Sequence, residues 1–275
     1  MVKVGHVFAR DIFPPYFGSD TVTLPAVLVT GAAKRIGAAM AQQFARAGWH
    51  VVIHYGTSSE EAKALAGTLP SAETFGCDLG NETAAMAMVE ELAERLDDWR
   101  VLVNSASVFI PDDVTFLDPA TNRRTMQINA RTPVLMAQAF LRQARAGGGR
   151  RVIQVTDQKL ANPNPDFFSY TMSKHALAAT IPMMSMGAAD TLDRIYGLAP
   201  GAILASHDQT ESEAEVSHRL NPLQRKTHAT EMADAALFLA QGWLASGETL
   251  FVDSGQHLLA QPRDVIYLAR QEIGA

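Results

Sequence analysis

A single cysteine, Cys77, stands in 275 residues. No internal disulfide is possible, and such a chain suits a reducing compartment; the expected location is the cytoplasm. No uncharged apolar run approaches the ~18 residues of a membrane span, so no membrane partner is expected. Positive charge is also short, with 23 Lys and Arg against 29 Asp and Glu and a net charge of −6, which argues against a nucleic-acid partner. Aromatic residues make up only 7%. No His, Cys or acidic spacing suits a metal, so none is expected, and His207 and His257 read as solvated or structural. Repeats and composition breaks are missing too, which points to one large domain. The first 24 residues lack periodicity, an apolar core and a small-residue cleavage site, so they do not read as a signal peptide. The expected organisation is an irregular leader at 1–24, a domain over 25–260 and a C-terminal extension over 261–275.

Against these absences stands one dense stretch, Val27-Leu28-Val29-Thr30-Gly31-Ala32-Ala33-Lys34-Arg35-Ile36-Gly37. Its apolar start reads as a buried strand. It runs through glycines into Ala38-Ala39-Met40-Ala41-Gln42-Gln43-Phe44-Ala45-Arg46-Ala47-Gly48, made of strong helix formers and closed by a glycine. Residues 31–37 are therefore a strand-to-helix turn. Free backbone N–H groups and the positive end of a helix favour a phosphate there.

The pattern then alternates. Strands are expected over 49–55, 74–79, 101–104, 151–156, 195–198 and 248–252. Helices are expected over 60–69, 81–96, 121–146 with a kink at Pro133, 170–189, 230–239 and 263–273. The stretch 202–227 reads as polar and irregular. Such alternation gives an α/β, doubly wound parallel sheet with helices on both faces. Ligands of such sheets sit beyond the carboxyl ends of the strands, at the switch point.

The end of the second strand is where a carboxylate would bind the ribose of NAD. His54, Tyr55, Gly56, Thr57 and Ser58 stand there instead, and Lys34 and Arg35 lie in the phosphate turn. Cations and hydroxyl donors fit a 2′-phosphate, so NADPH is expected over NADH. Asp78 and Leu79, after the third strand, are placed near the adenine ring.

Thr30-Gly31-x-x-x-Arg35-x-Gly37, Asn104-Ser105-Ala106-Ser107, Asn129, Tyr170-x-x-x-Lys174 and Pro200-Gly201, in this order, resemble the short-chain dehydrogenase/reductase family. The resemblance spans about residues 26–259. It implies one Rossmann-type domain with a seven-stranded, mostly parallel sheet, assembled as a homotetramer. It also implies a cofactor held by the turn (with Ile36), by Asn104, Ser105 and Ala106, by Lys174, and by Pro200 and Gly201. Three departures narrow it. Arg35 replaces the middle glycine of the turn, Ser105 and Ser107 alter the asparagine motif, and Asp157 stands thirteen positions before Tyr170, where the family has serine. These resemble the pteridine reductase branch. Phe109 then matches an aromatic that stacks on the pterin, and Thr57 stands where the branch has an arginine at the 2′-phosphate.

The chemistry follows. Hydride transfer leaves negative charge on the acceptor, so an acid must supply a proton. Tyr170 and Lys174 share a helix face, and an ammonium lowers a phenol's pKa from about 10. By resemblance, Lys174 also holds the nicotinamide ribose and Asn129 a relaying water. An ionised Asp157 would repel a developing alkoxide, yet it can accept from a ring N–H or amino group. Substrate contacts are expected from Arg35, Ser107, Phe109, Asp157 and Tyr170. The segment 206–227, opening on His207, Asp208, Glu211, Glu213 and Glu215, is expected to be a mobile lid; His218 and Arg219 are candidates to face the substrate. The expected function is an NADPH-dependent short-chain reductase acting on a C=N bond of a pteridine, a dihydropterin or dihydrofolate. The alternatives are a carbonyl reductase of the same family, on 3-oxoacyl or ketone substrates, and a catalytically silent NADPH-binding regulator.

Overall fold

The computed structural model describes residues 23–206 and 208–274; most of the expected leader, and His207, lie outside them. Seven parallel strands form one sheet in the order β3-β2-β1-β4-β5-β6-β7. They are β1 (Ala26–Val29), β2 (His50–Tyr55), β3 (Ala72–Gly76), β4 (Trp99–Asn104), β5 (Arg151–Val155), β6 (Arg194–Pro200) and β7 (Thr249–Val252). Strand order reverses between β1 and β4, which opens a crevice at their carboxyl ends.

The helices are α1 (Arg35–Arg46), α2 (Ser59–Ala66), α3 (Glu82–Arg95), α4 (Pro119–Met126), α5 (Thr132–Gln143), α6 (Phe168–Gly187), α7 (Glu211–Ser217), α8 (Ala229–Ala240) and α9 (Val265–Gly274). Successive strand residues point to opposite faces. Val27 and Val29 therefore pack with Met40 and Phe44 of α1 and Met232 and Leu239 of α8. Leu28 packs on the other face, with Leu92 of α3 and Met136 and Phe140 of α5. A strand buried on both faces needs an unbroken apolar run, and β1 is one.

Two expectations need correction. The helix expected over 121–146 is two helices, α4 and α5, joined by a π-helical turn, Gln127–Arg131. Pro133 has no N–H to offer the Asn129 carbonyl, and the Thr132 N–H reaches back to Gln127 instead. The wide turn thus falls on Asn129, a candidate site residue. The segment expected to be irregular over 202–227 contains α7. A capping box starts it: the Thr210 hydroxyl accepts from the Glu213 N–H, and the Glu213 carboxylate accepts from the Thr210 N–H. Among the described residues no helix is long and apolar enough to cross a membrane.

Candidate active site

The turn after β1 is built so that backbone can approach a ligand. Gly31 has φ +65°, and a Cβ there would lie 2.9 Å from the Ala106 Cα. A Cβ on Gly37 would lie 2.4 Å from the Gly31 carbonyl oxygen. Both positions therefore require glycine. The N-terminus of α1 carries no capping side chain and no acidic residue in its first turn, so its N–H groups and positive dipole end suit a phosphate. Arg35 holds φ +58°, an uncommon conformation for a residue with a side chain. Its guanidinium donates to the Ala205 carbonyl at 3.0 Å, tying the turn to the segment after β6.

Side chains under this turn hold it in place. His54 is buried; its Nδ1 accepts the Gly31 N–H at 3.1 Å, and its Nε2 lies 2.9 Å from the Cys77 carbonyl. Those partners put the proton on Nε2. Burial pushes its pKa down to about 4, so the ring is neutral. His54 thus braces the turn from below and does not face the crevice. The Thr30 hydroxyl oxygen accepts the N–H groups of Ser105 and Ala106, joining the ends of β1 and β4. Asn104 is buried as well, donating to the Pro133 carbonyl and to Gln154 Oε1. Among the described residues its Oδ1 and the Thr156 hydroxyl are buried without partners at the carboxyl ends of β4 and β5. Free amides at the turn and unpartnered polar atoms beside it fit a dinucleotide.

The ribose end differs from expectation at Lys34, which pairs with Glu61 at 2.6 Å. The hydrogen bond from Lys34 holds the Glu61 carboxyl below its usual range. Lys34 is therefore not an uncommitted cation. Thr57 is exposed, Ser58 precedes α2 without capping it, and Tyr55 lies against Gly76. Asp78 is exposed and Leu79 buried, both just past β3. Gly201 is locked by Asp253 and Gln256, whose atoms would meet a Cβ at 2.8 Å. Pro200 and Ile36 line the crevice.

Helix α6 carries Tyr170 and Lys174. Tyr170 donates its phenol proton to Asp157 Oδ2 at 2.7 Å. Asp157 Oδ1 accepts the Lys159 N–H at 2.8 Å. Lys174, one turn beyond Tyr170, is buried and donates to the Val155 carbonyl at 2.7 Å. Burial lowers the Lys174 pKa to about 8. It raises that of Asp157, although the Tyr170 hydrogen bond and the ammonium groups of Lys159 and Lys174 oppose it. Tyr170 is raised well above the ordinary phenol value, first by burial and then by the Asp157 carboxylate. This corrects the expectation that Lys174 lowers it. The lysine Nζ is 5.7 Å from the centre of the tyrosine ring, whereas the carboxylate touches the hydroxyl.

Asn129 sits in the π-helical turn, but its side chain is spent. Oδ1 accepts the Val108 N–H, and Nδ2 donates to the Val108 carbonyl and the Ser173 hydroxyl. It clamps the loop after β4 that carries Phe109. The Phe109 ring stacks on Phe167 at 4.0 Å and meets the Tyr170 ring edge-on at 4.7 Å. Ser107 is exposed. The cavity at the crevice is lined by Arg35, Phe109, Asp157, Tyr170 and, from the segment expected to be a lid, Ser217 and His218. Burial and the nearby Lys226 lower the His218 pKa. Arg219, the other lid candidate, pairs with Glu215 on α7 and is not among the lining residues.

Sequence reasoning missed Lys159, Gln256 and the start of α9. All three line the cavity, the last through Asp264, Val265 and Ile266. Their signal was weak: a lysine in a loop, a glutamine after a strand, and an apolar pair opening a C-terminal helical pattern. No group of three or more His, Cys, Asp or Glu able to hold a metal ion exists among the described residues.

A family model described as enoyl-(acyl carrier protein) reductase matches residues 31–257. Pteridine reductase 1 of Leishmania tarentolae is 28% identical over 281 residues, spanning 86% of this chain and 97% of that protein. The crystal structure of FolM alternative dihydrofolate reductase 1 from Brucella canis, complexed with NADP, superposes with a TM-score of 0.82 at 31% identity, covering 88% of this chain and 98% of that one. The angucycline C-6 ketoreductase LanV, with bound NADP, gives a TM-score of 0.78 at 27% identity over 86% of this chain and 96% of its own. With the ordered motifs, the sheet topology and a match over most of its length, the chain belongs to the short-chain dehydrogenase/reductase family.

Proposed function

We propose that this protein is an NADPH-dependent reductase of a C=N bond in a pteridine, a dihydropterin or dihydrofolate. The carrying observation is the 2.7 Å hydrogen bond from Tyr170 to Asp157, with the carboxyl at the position where a serine would serve a ketone. The likeness to a pteridine reductase and to an alternative dihydrofolate reductase supports it. The glycine turn, Asn104 and Lys174 would hold the dinucleotide, and the nicotinamide would supply a hydride to the carbon of the C=N bond. The ring nitrogen then needs a proton. Tyr170 is the donor, and its phenol is protonated across the neutral range. Lys174, turned to the Val155 carbonyl, contributes through the cofactor it would hold. Asp157 orients the phenol and accepts from a ring N–H or amino group, which a ketone lacks. Phe109 supplies one face of a stacking slot.

A ketone reductase is the second reading, favoured by the likeness to LanV. Against it, a carboxylate at Asp157 opposes an alkoxide. The test is NADPH consumption with dihydrobiopterin, dihydromonapterin and dihydrofolate offered separately to wild type and Tyr170→Phe. Turnover of one of them, lost in the variant, supports the proposal. Turnover of a 3-oxoacyl thioester with none of a pterin overturns it. We propose that it assembles as a homotetramer, as the family resemblance implies, and that it works in the cytoplasm, which its single cysteine suits; sedimentation velocity checks the assembly.

A further inference from the structure

The family match ends at residue 257, yet the chain beyond it reaches back to the reaction centre. Asp264, Val265 and Ile266 line the cavity that also holds Asp157 and Tyr170. Ile266 is buried in one cluster with Phe167 and Tyr170, against which Phe109 packs.

This placement is fastened at both ends. At the inner end, the buried Lys159 donates to the Asp166 carbonyl at 2.6 Å and to Asp264 Oδ2 at 3.3 Å. Arg263 pairs with Asp166 at 2.8 Å, and the Asp264 N–H donates to the same carboxylate. At the outer end, Arg270 binds Glu213 of α7 at 3.0 Å and Asp208 at 3.1 Å. The Tyr267 ring lies under both guanidinium groups, 4.7 Å from Arg263 and 5.7 Å from Arg270. Helix α9 therefore bridges the β5–α6 segment and the lid helix across the mouth of the site. The cavity, open to solvent at its mouth, is about 220 Å³, small beside the roughly 300–1,000 Å³ of ordinary ligand pockets.

We propose that α9 is the size-selecting wall of the substrate pocket, with Val265 and Ile266 limiting how far a substrate can extend beyond the ring held against Phe109. Resting on the pteridine reading, this favours compact pterins with short side chains over folates, whose p-aminobenzoylglutamate tail must pass this wall. Lys159, Arg263 and Arg270 are positioning residues that hold the wall in place.

The experiment compares kcat/KM for dihydrobiopterin and dihydrofolate in the full-length wild type, Ile266→Ala, Ile266→Phe and Arg270→Ala. Wild type prefers the short-chain pterin. Ile266→Ala narrows the preference about tenfold, chiefly through a lower KM for dihydrofolate, on the scale of a few methylene groups in a pocket. Ile266→Phe widens it, and a variant that merely destabilised the protein would not move the ratio both ways. Arg270→Ala narrows it less, and added salt narrows it further in wild type. Ratios unchanged within about twofold in both Ile266 variants overturn the proposal. If wild type reduces ketones and no pterin, the pteridine reading fails by itself. The wall is then read from the same variants on ketones of graded size, where an unchanged size preference overturns it.

Discussion

The half of the molecule around β1 to β4 and the half around β5 to β7 build their parts of the crevice differently. The first works with backbone: two glycines that admit no Cβ, the uncapped start of α1, and His54 and Thr30 bracing the turn from beneath. The second works with side chains from distant positions: Asp157, Tyr170 and Lys174 lie beside α7 and α9, which the Lys159–Asp264 and Arg270–Glu213 pairs fasten in place. A bound dinucleotide presents one shape, which backbone can match once and rigidly. A substrate pocket is shaped by loops and ends, where side chains can change without disturbing the sheet. Substitutions should therefore separate cleanly into those that cost cofactor and those that cost chemistry.

The largest expected effect lies in the second half. Tyr170→Phe removes the proton donor and should lower kcat by about 10²–10⁴-fold, with NADPH affinity held, as stopped-flow turnover and fluorescence titration would show. Loss of NADPH binding in that variant would break the division. Next comes Gly37→Ala in the first half. Its Cβ would press on the Gly31 carbonyl at 2.4 Å, so the turn must open. NADPH binding should weaken by more than about tenfold and unfolding stability fall by about 1–3 kcal/mol, measured by titration and denaturant melts.

pH gives a finer separation. Lys174 titrates at about 8, down from its ordinary value. Its ammonium is present below that pH, so kcat/KM should fall as pH rises through 8, and a profile flat to pH 10 would contradict the assignment. His54 titrates at about 4 instead of 6.5. The unfolded chain then binds a proton between those values that the folded chain refuses. Stability should drop as pH falls from 6.5 towards 4, and His54→Gln should flatten that slope in thermal melts. The smallest effect concerns Glu61, which neutralises Lys34 beside α1. Glu61→Gln should tighten NADPH a few-fold, with NADH unmoved, because exposed pairs carry about 0–1 kcal/mol. Tighter NADH than NADPH binding in wild type would overturn the cofactor preference.

The same contrast governs what could be read from the sequence. Glycines, an apolar strand and a helix start are local signals, so the phosphate turn and the alternation of seven strands were legible residue by residue. The Tyr170–Lys174 spacing was legible too, but the state of Tyr170 was not. It depends on Asp157 touching the hydroxyl while Lys174 turns to the Val155 carbonyl, a choice made in three dimensions. The break at Gln127–Arg131 was half legible: Pro133 announced a disturbance, but not that it would widen the turn at Asn129. Lys34 and His54 looked like cofactor contacts because sequence cannot show that Glu61 and the Gly31 amide already occupy them. The role of residues 263–266 was least legible, since it rests on Lys159 and Asp166, about a hundred residues away.

The central claim is that a carboxyl at position 157 selects a C=N bond over a ketone. It is tested most directly by the ratio of kcat/KM for dihydrobiopterin to that for a 3-oxoacyl thioester, in wild type and in Asp157→Ser. The account predicts a ratio well above one in wild type that falls below one in the variant, as the serine hydroxyl donates to the ketone oxygen. A wild type that prefers the thioester, or a ratio that the substitution leaves in place, would contradict it.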